Sequence, residues 1–285
     1  MAGLDRKPVL VVGARGNIGR CVLAQLLDER RPVRVSARRP GKVRFPGGVE
    51  VFAADVTEPA SLRPAFEGAG RVFLYADHGS VDGVVREARA AGVERLVLLS
   101  SGSVIHPTSA GNTLTERHRR TEDAFAAAPG PPVVPIRPLV LATNALGWAY
   151  LLRTTGSVPL YRPDALTAPV HERDVAAFAC AALTGAVTPA LSGMLTGPVR
   201  TSQRDQVAVI GRVVGEPIPV RELSRPDALA RFSEFMPVED AEAVLRFLDD
   251  AAAGNSPATT AVEDVLGRPA IGFEQWAADH ADDFS

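Results

Sequence analysis

The chain has 285 residues, 46% hydrophobic and 22% charged, with a net charge of −2. This supports a large buried core and excludes intrinsic disorder, while the weak negative charge gives no basic surface for nucleic acid or an anionic membrane. Two cysteines, Cys21 and Cys180, stand far apart outside any CxxC or Cys/His cluster, which argues against a disulfide scaffold or a metal site and fits a reducing cytoplasm. No cleavable signal pattern precedes the first apolar run, and no run of about 18 apolar residues predicts a membrane span.

Apolar runs alternate with helix-length segments through residue 138. Pro8 to Val12 reads as a buried strand closed by Gly13, and Asn17 to Asp28 as an amphipathic helix. Strands are predicted over Val33 to Ala37, Val49 to Ala53, Arg71 to Tyr75, Arg95 to Ser100 and Val133 to Arg137. Helices are predicted over Ser61 to Phe66, Val81 to Ala91 and Thr113 to Ala127. The alternation predicts right-handed crossovers and a mostly parallel, doubly wound α/β sheet of Rossmann type. After Pro138 the rhythm changes. Helices are expected over Asn144 to Thr154, Asp174 to Leu183 (capped by Asp174), Thr201 to Val214, Ala228 to Phe235, Val238 to Ala252 and Phe273 to Ala281, with a strand over Pro217 to Glu222. The expected division is a nucleotide-binding domain, 1–138, and a smaller α/β substrate-binding region, 139–285. Segments 103–112 and 254–260, rich in Gly, Ser, Thr and Asn, are expected to be the looser ones.

The first strand and helix are joined by Gly13-Ala14-Arg15-Gly16-Asn17-Ile18-Gly19, a GxxGxxG turn. Glycines there permit a tight turn and close approach of a pyrophosphate, and the helix N-terminus offers N–H groups and a positive dipole end. Gly13, Arg15, Gly16, Asn17, Ile18 and Gly19 are therefore candidate cofactor residues. The second strand ends Ser36-Ala37-Arg38-Arg39 without the carboxylate that would bind the ribose hydroxyls of NAD. Arg38, Arg39 and Arg15 suit a 2′-phosphate, so NADPH/NADP+ is the expected cofactor; the plainer alternative is solvated arginines in an arginine-rich chain. Asp55 and Val56, after the third strand, are candidates for the adenine amino group and ring, Asp55 alternatively for a turn. Tyr75, Ala76 and Asp77 fall at the switch-point crevice.

The blocks GARGNIG, AADVTEP, LLSSGSV, HRRTEDAF, IRPLVLATN and APVHERDVAAFACAAL together resemble the short-chain dehydrogenase/reductase superfamily, in its atypical NmrA-like branch. The resemblance covers most of the chain. It implies a Rossmann domain, a smaller substrate domain and carbonyl reduction by a Ser, a Tyr and a Lys, the last two spaced YxxxK. By that likeness Ser101 matches the serine, Ser100 lies beside it among the cofactor residues, and Pro138, Leu139 and Val140 lie where backbone meets the nicotinamide amide. The tyrosine and lysine positions hold Leu114 and His118, and the chain's lysines are only Lys7 and Lys42. His118 is left as a candidate for the nicotinamide ribose, or as a surface histidine. Proton-donor candidates are Tyr75, His78, Ser103, His106 or water.

Ser103, His106, Asn144, Trp148 and His171 are the substrate-side candidates, with Tyr161 nearby; Trp148 offers a stacking face, or core packing. Three functions are open. The first is an NADPH-dependent ketoreductase acting on a hydrophobic aromatic polyketide, as in antibiotic biosynthesis, with a substrate phenol supplying the proton. The others are a quinone reductase and a non-enzymatic NADP(H) sensor. The expected partner is a small aromatic ketone or quinone, the expected assembly a monomer or homodimer.

Overall fold

The computed structural model of the chain describes residues 7–46, 48–75 and 78–284. β1 (Val9–Val12) is buried at all four positions, as a central strand must be when both faces of its sheet are covered. Then follow α1 (Asn17–Asp28), β2 (Val33–Ala37), β3 (Glu50–Ala53), a short α2 (Arg63–Phe66), β4 (Arg71–Leu74), α3 (Val81–Ala90), β5 (Arg95–Leu99), α4 (Thr113–Ala127) and β6 (Val133–Pro138). These strands pair in parallel in the order β3-β2-β1-β4-β5-β6. The chain thus steps outward from β1 to β3 and returns to the far side of β1. That reversal makes a switch point between β1 and β4, the place where open parallel sheets bind ligands. The architecture is the expected Rossmann-type α/β fold.

After β6 come α5 (Leu146–Thr155), β7 (Val158–Leu160), β8 (Leu166–Thr167), α6 (Glu172–Thr184), β9 (Met194–Leu195), β10 (Thr201–Ser202), α7 (Gln203–Val214), β11 (Val220–Glu222), α8 (Arg225–Phe232), α9 (Val238–Ala252), α10 (Ala261–Leu266) and α11 (Phe273–Asp279). The chain forms two compact units, each discontinuous. The first takes residues 1–104, 117–137 and 172–193, the second 105–116, 138–171 and 194–285. The chain crosses between them at 104/105, 116/117, 137/138, 171/172 and 193/194.

The return of α6 to the first unit has a local cause. α6 packs on α1, and the two Arg side chains at the starts of β4 and β5 reach its C-terminal carbonyls. Arg71 donates to Leu183 O, and Arg95 Nη1 donates to Ala182 O at 2.6 Å and Gly185 O at 3.0 Å. Guanidinium groups there satisfy carbonyls a helix end leaves open and oppose the negative end of its dipole. α6 begins at Glu172, so Asp174 lies inside the first turn, fully buried, and is not the cap. The core of the first unit gathers Leu10, Phe66, Val72, Val84, Leu96 and Phe125.

In the second unit the short strands pair as β7 with β11, parallel, and β8 with β10, antiparallel. Ser202 Oγ accepts the Asp205 N–H (3.0 Å) to cap α7. Ser224 caps α8 in the same way, with Pro226 in the first turn, so that helix starts three residues before the predicted Ala228. The fully buried Trp276 stacks between Phe273 (5.0 Å) and His280 (4.5 Å). Segments 103–112 and 254–260 are pinned rather than loose: a His106 Nε2 bond to Asn255 O (2.8 Å) ties them, and Asn112 Oδ1 caps α4 from the Leu114 and Thr115 N–H groups. Among the described residues no helix is long and apolar enough to cross a membrane.

Glu122 on α4 and Arg137 on β6 form a largely buried bidentate pair. Arg137 Nε donates to Glu122 Oε1 at 3.0 Å and its Nη2 to Oε2, while Nη1 donates to Ser192 O at 2.6 Å. Removing one partner strands a charge in the interior. Glu122→Ala is therefore expected to cost about 3 kcal/mol in urea unfolding, and Glu122→Gln less.

Candidate functional site

Gly13 ends β1 in the left-handed region, φ 77°, which the tight exit from the strand requires. The Gly16 N–H donates to Gly13 O at 2.9 Å and closes the turn. α1 then starts so close to β1 that a Cβ on Gly19 would stand 2.2 Å from Gly13 O. Gly16, its N-cap residue, gives no side-chain cap, and no acid occupies the first turn. The opening N–H groups of α1, at Asn17, Ile18 and Gly19, are thus left to an anion. A pyrophosphate fits this cradle. Asn17 is exposed, while Ile18 and Gly19 are buried and lock the helix to the strand.

Around the turn, Arg15, Arg38 and Arg39 are all exposed, and Ser36 at the end of β2 is buried. The Tyr75 ring lies over Gly13, close enough that a Cβ there would meet its Cε1 at 2.5 Å, yet the residue is 51% exposed. Tyr75 therefore belongs to the mouth of the glycine turn. Ala76 and Asp77 lie outside the described residues, as does the side chain of His78.

Asp55 makes the turn that its alternative reading expected. Its Oδ1 accepts from the Thr57 N–H (3.0 Å) and hydroxyl (2.8 Å), bonds that hold its pKa below the ordinary carboxylate value. Val56 is buried beside it. Past β5, Ser100 uses both its hydrogens inward, the N–H to Ile136 O (2.8 Å) and the hydroxyl to Glu122. Only its lone pairs can face a ligand. Ser101 Oγ is half-buried, 2.9 Å from Ser103 Oγ, and accepts the Ser103 N–H at 3.2 Å. These two serines share one hydrogen-bonded turn.

Leu114 and His118 stand one turn apart on α4. Burial lowers the His118 pKa, with Glu122 opposing the shift, and no hydrogen bond among the described residues ties the ring. At neutral pH His118 is an uncharged imidazole, not a substitute for a lysine cation. Because the folded state binds its proton less readily than the unfolded chain, this residue's contribution to stability is full above the ordinary imidazole value of about 6.5. It is lost as pH falls below that value. Unfolding free energy measured from pH 8 to 5 is expected to fall less steeply on the acid side in His118→Gln.

In the second unit the substrate-side candidates separate. His106 is 4% exposed and bonded as above, and its Nδ1 faces the Thr108 hydroxyl at 3.2 Å. His171 is 2% exposed, with Nε2 3.2 Å from Asp279 Oδ2. Both occupy packing positions. At the end of β6, Pro138 is buried, the Leu139 N–H donates to Leu195 O (3.0 Å), and Val140 O accepts from Val170 (2.8 Å). Asn144 and Trp148 instead come together, with Tyr161, on a cavity of about 270 Å³ inside this unit. Sequence reasoning missed the part of its wall that α8 and α9 supply, Arg231, Phe232 and Leu248. The only signal was two amphipathic helices without a motif.

A family model described as NAD(P)H-binding matches residues 13–185. The (4-alkanoyl-5-oxo-2,5-dihydrofuran-3-yl)methyl phosphate reductase of Streptomyces griseus is 36% identical over 282 residues, covering 97% of this chain and 99% of its own. The NAD(P)H azoreductase of Xenophilus azovorans is 26% identical over 287 residues, covering 96% and 98%. Among solved structures, the Escherichia coli NADPH-dependent quinone oxidoreductase complexed with NADPH shares the fold, with a TM-score of 0.77 at 21% identity over 95% of this chain and 99% of that one.

Proposed function

The chain belongs to the NAD(P)H-binding family, and we propose that it is an NADPH-dependent reductase whose acceptor is a conjugated carbonyl compound. The glycine turn and the N-terminus of α1 hold the pyrophosphate. Arg38 and Arg39, with Arg15, hold the 2′-phosphate, Asp55 and Val56 face the adenine, and the neutral His118 bonds a ribose hydroxyl. Bound NADPH supplies a hydride.

The observation that carries the reading is the missing tyrosine–lysine pair on α4, where Leu114 and His118 stand instead. An isolated ketone becomes a strongly basic alkoxide and needs a proton delivered as it forms. Leu114 cannot deliver one, His118 is neutral at working pH, and no lysine stands on α4. A chain so built suits acceptors in which the new electron pair is spread over oxygens and water protonates it afterwards. The names of the relatives support this. A 4-alkanoyl-5-oxo-2,5-dihydrofuran has a ring double bond conjugated to two carbonyls, so hydride addition leaves a dicarbonyl enolate. An aromatic ketone carrying its own phenol is the special case in which the substrate provides the proton.

NADPH oxidation against acyl-butenolides, quinones and isolated ketones, with products identified, tests the proposal. Conjugated acceptors are expected to react at least about 100-fold faster than isolated ketones. Equal rates would remove the argument from the missing pair, and NADPH binding without turnover of any acceptor would make the chain a sensor.

A further inference from the structure

The cavity of the second unit is walled mainly by apolar side chains of α5, β7, α8 and α9, among them Trp148, Leu151, Leu160, Phe232 and Leu248. One cation, Arg231, lines it. Three other arginines of this unit are paired with carboxylates. Arg225 pairs with Glu242 at 2.6 Å, Arg162 with Asp249 at 2.8 Å, and Arg204 with Asp164 at 2.8 Å. Arg231 is half-buried, and among the described residues its guanidinium has no hydrogen bond or ion pair. A partly desolvated guanidinium fork beside an apolar hollow is a charge without its complement, suited to bidentate recognition of a phosphate or carboxylate. At the same cavity Tyr150 and Phe235 are 58% and 65% exposed, large apolar surface left in water. A volume of about 270 Å³ is at the small end of ligand pockets.

We propose that this cavity binds a small amphipathic anion, its apolar body against Trp148 and Leu248 and its oxyanion against Arg231. That this ligand is the reductase's acceptor rests on the function proposed above; the binding itself does not.

The probes are mono-octyl phosphate, octanol and inorganic phosphate, titrated on the full chain and read by tryptophan emission. Trp148 faces the cavity while Trp276 lies in the core, and Trp148→Phe identifies the source of the signal. Octyl phosphate is expected to bind at least about tenfold more tightly than either octanol or phosphate. Arg231→Ala should weaken octyl phosphate by about tenfold or more and leave octanol unchanged, with Arg231→Lys in between. Equal octyl phosphate affinity in wild type and Arg231→Ala overturns the proposal, as does no binding, or phosphate binding as tightly as its octyl ester. A kinetic arm separates the two readings. Octyl phosphate should compete with the acceptor in wild type and much less in Arg231→Ala. Binding without competition refutes the assignment of the ligand as acceptor. Binding in a chain that oxidises NADPH with no acceptor leaves the anion site standing and removes the reductase.

Discussion

Replacing Arg38 and Arg39 together by alanine is expected to raise the KM for NADPH by about 100-fold and to change that for NADH by less than about threefold. The reason is electrostatic. β2 ends without a carboxylate, and both arginines are exposed and, in the proposed arrangement, hold the 2′-phosphate. A charge-assisted hydrogen bond is worth about 1.5–3 kcal/mol. Exposure and salt take these arginines to the lower end, so two of them give about 3 kcal/mol, or a factor of about 100. The NADH control matters because that cofactor lacks only the phosphate. An equal loss for both cofactors would mean that the arginines support the turn rather than read the phosphate. Salt should narrow the difference between wild type and variant, since both groups are exposed.

Gly19→Ala is expected to abolish cofactor binding and to lower stability by several kcal/mol. Its Cβ would stand 2.2 Å from Gly13 O and 2.8 Å from Gly13 C, both backbone atoms that cannot turn aside. To make room, α1 must lift away from β1, carrying off the N–H groups proposed to hold the pyrophosphate and opening the packing of Val22 and Leu26. The other glycines grade the effect. At Gly13 an alanine meets φ 77° and the Tyr75 ring, which is half exposed and able to swing, so the cost is about 1–2 kcal/mol of backbone strain plus a displaced tyrosine. At Gly16 the nearest atom to a Cβ is 3.4 Å away, so Gly16→Ala should fold almost normally. Thermal midpoints should therefore fall in the order Gly19→Ala, Gly13→Ala, Gly16→Ala, the first being lowest. A Gly19→Ala chain that binds NADPH normally would show that the turn is not the cofactor's cradle.

The first unit was readable because its signals are local. A run such as VLVV, a turn glycine and an apolar helix face each sit within a few residues, and six strands follow from repeating that pattern. The Arg38-Arg39 reading came from the same kind of local cue. The second unit resisted for physical reasons. Its strands β7 to β10 are two or three residues long, too short for a two-residue period to register. His106 and His171 looked like cleft residues because their partners, Asn255 and Asp279, are 149 and 108 residues away, and a distant partner leaves no trace in the neighbouring sequence. The same holds for α6, drawn to the first unit by Arg71 and Arg95. Asn144 and Trp148 were legible as pocket residues only as polar and aromatic types after the last long strand.

In the proposed mechanism hydride reaches a conjugated acceptor without an acid from the protein. Its most direct measurement is the pair of isotope effects on NADPH oxidation with a conjugated acceptor, deuterium in the transferred position of the nicotinamide against D2O as solvent. The expected result is a normal primary effect, a solvent effect close to one, and a rate that stays level from about pH 6 to 9. A solvent effect of about two or more, with a rate that follows a single ionisation and collapses in His118→Gln, would contradict it and make the imidazole the acid.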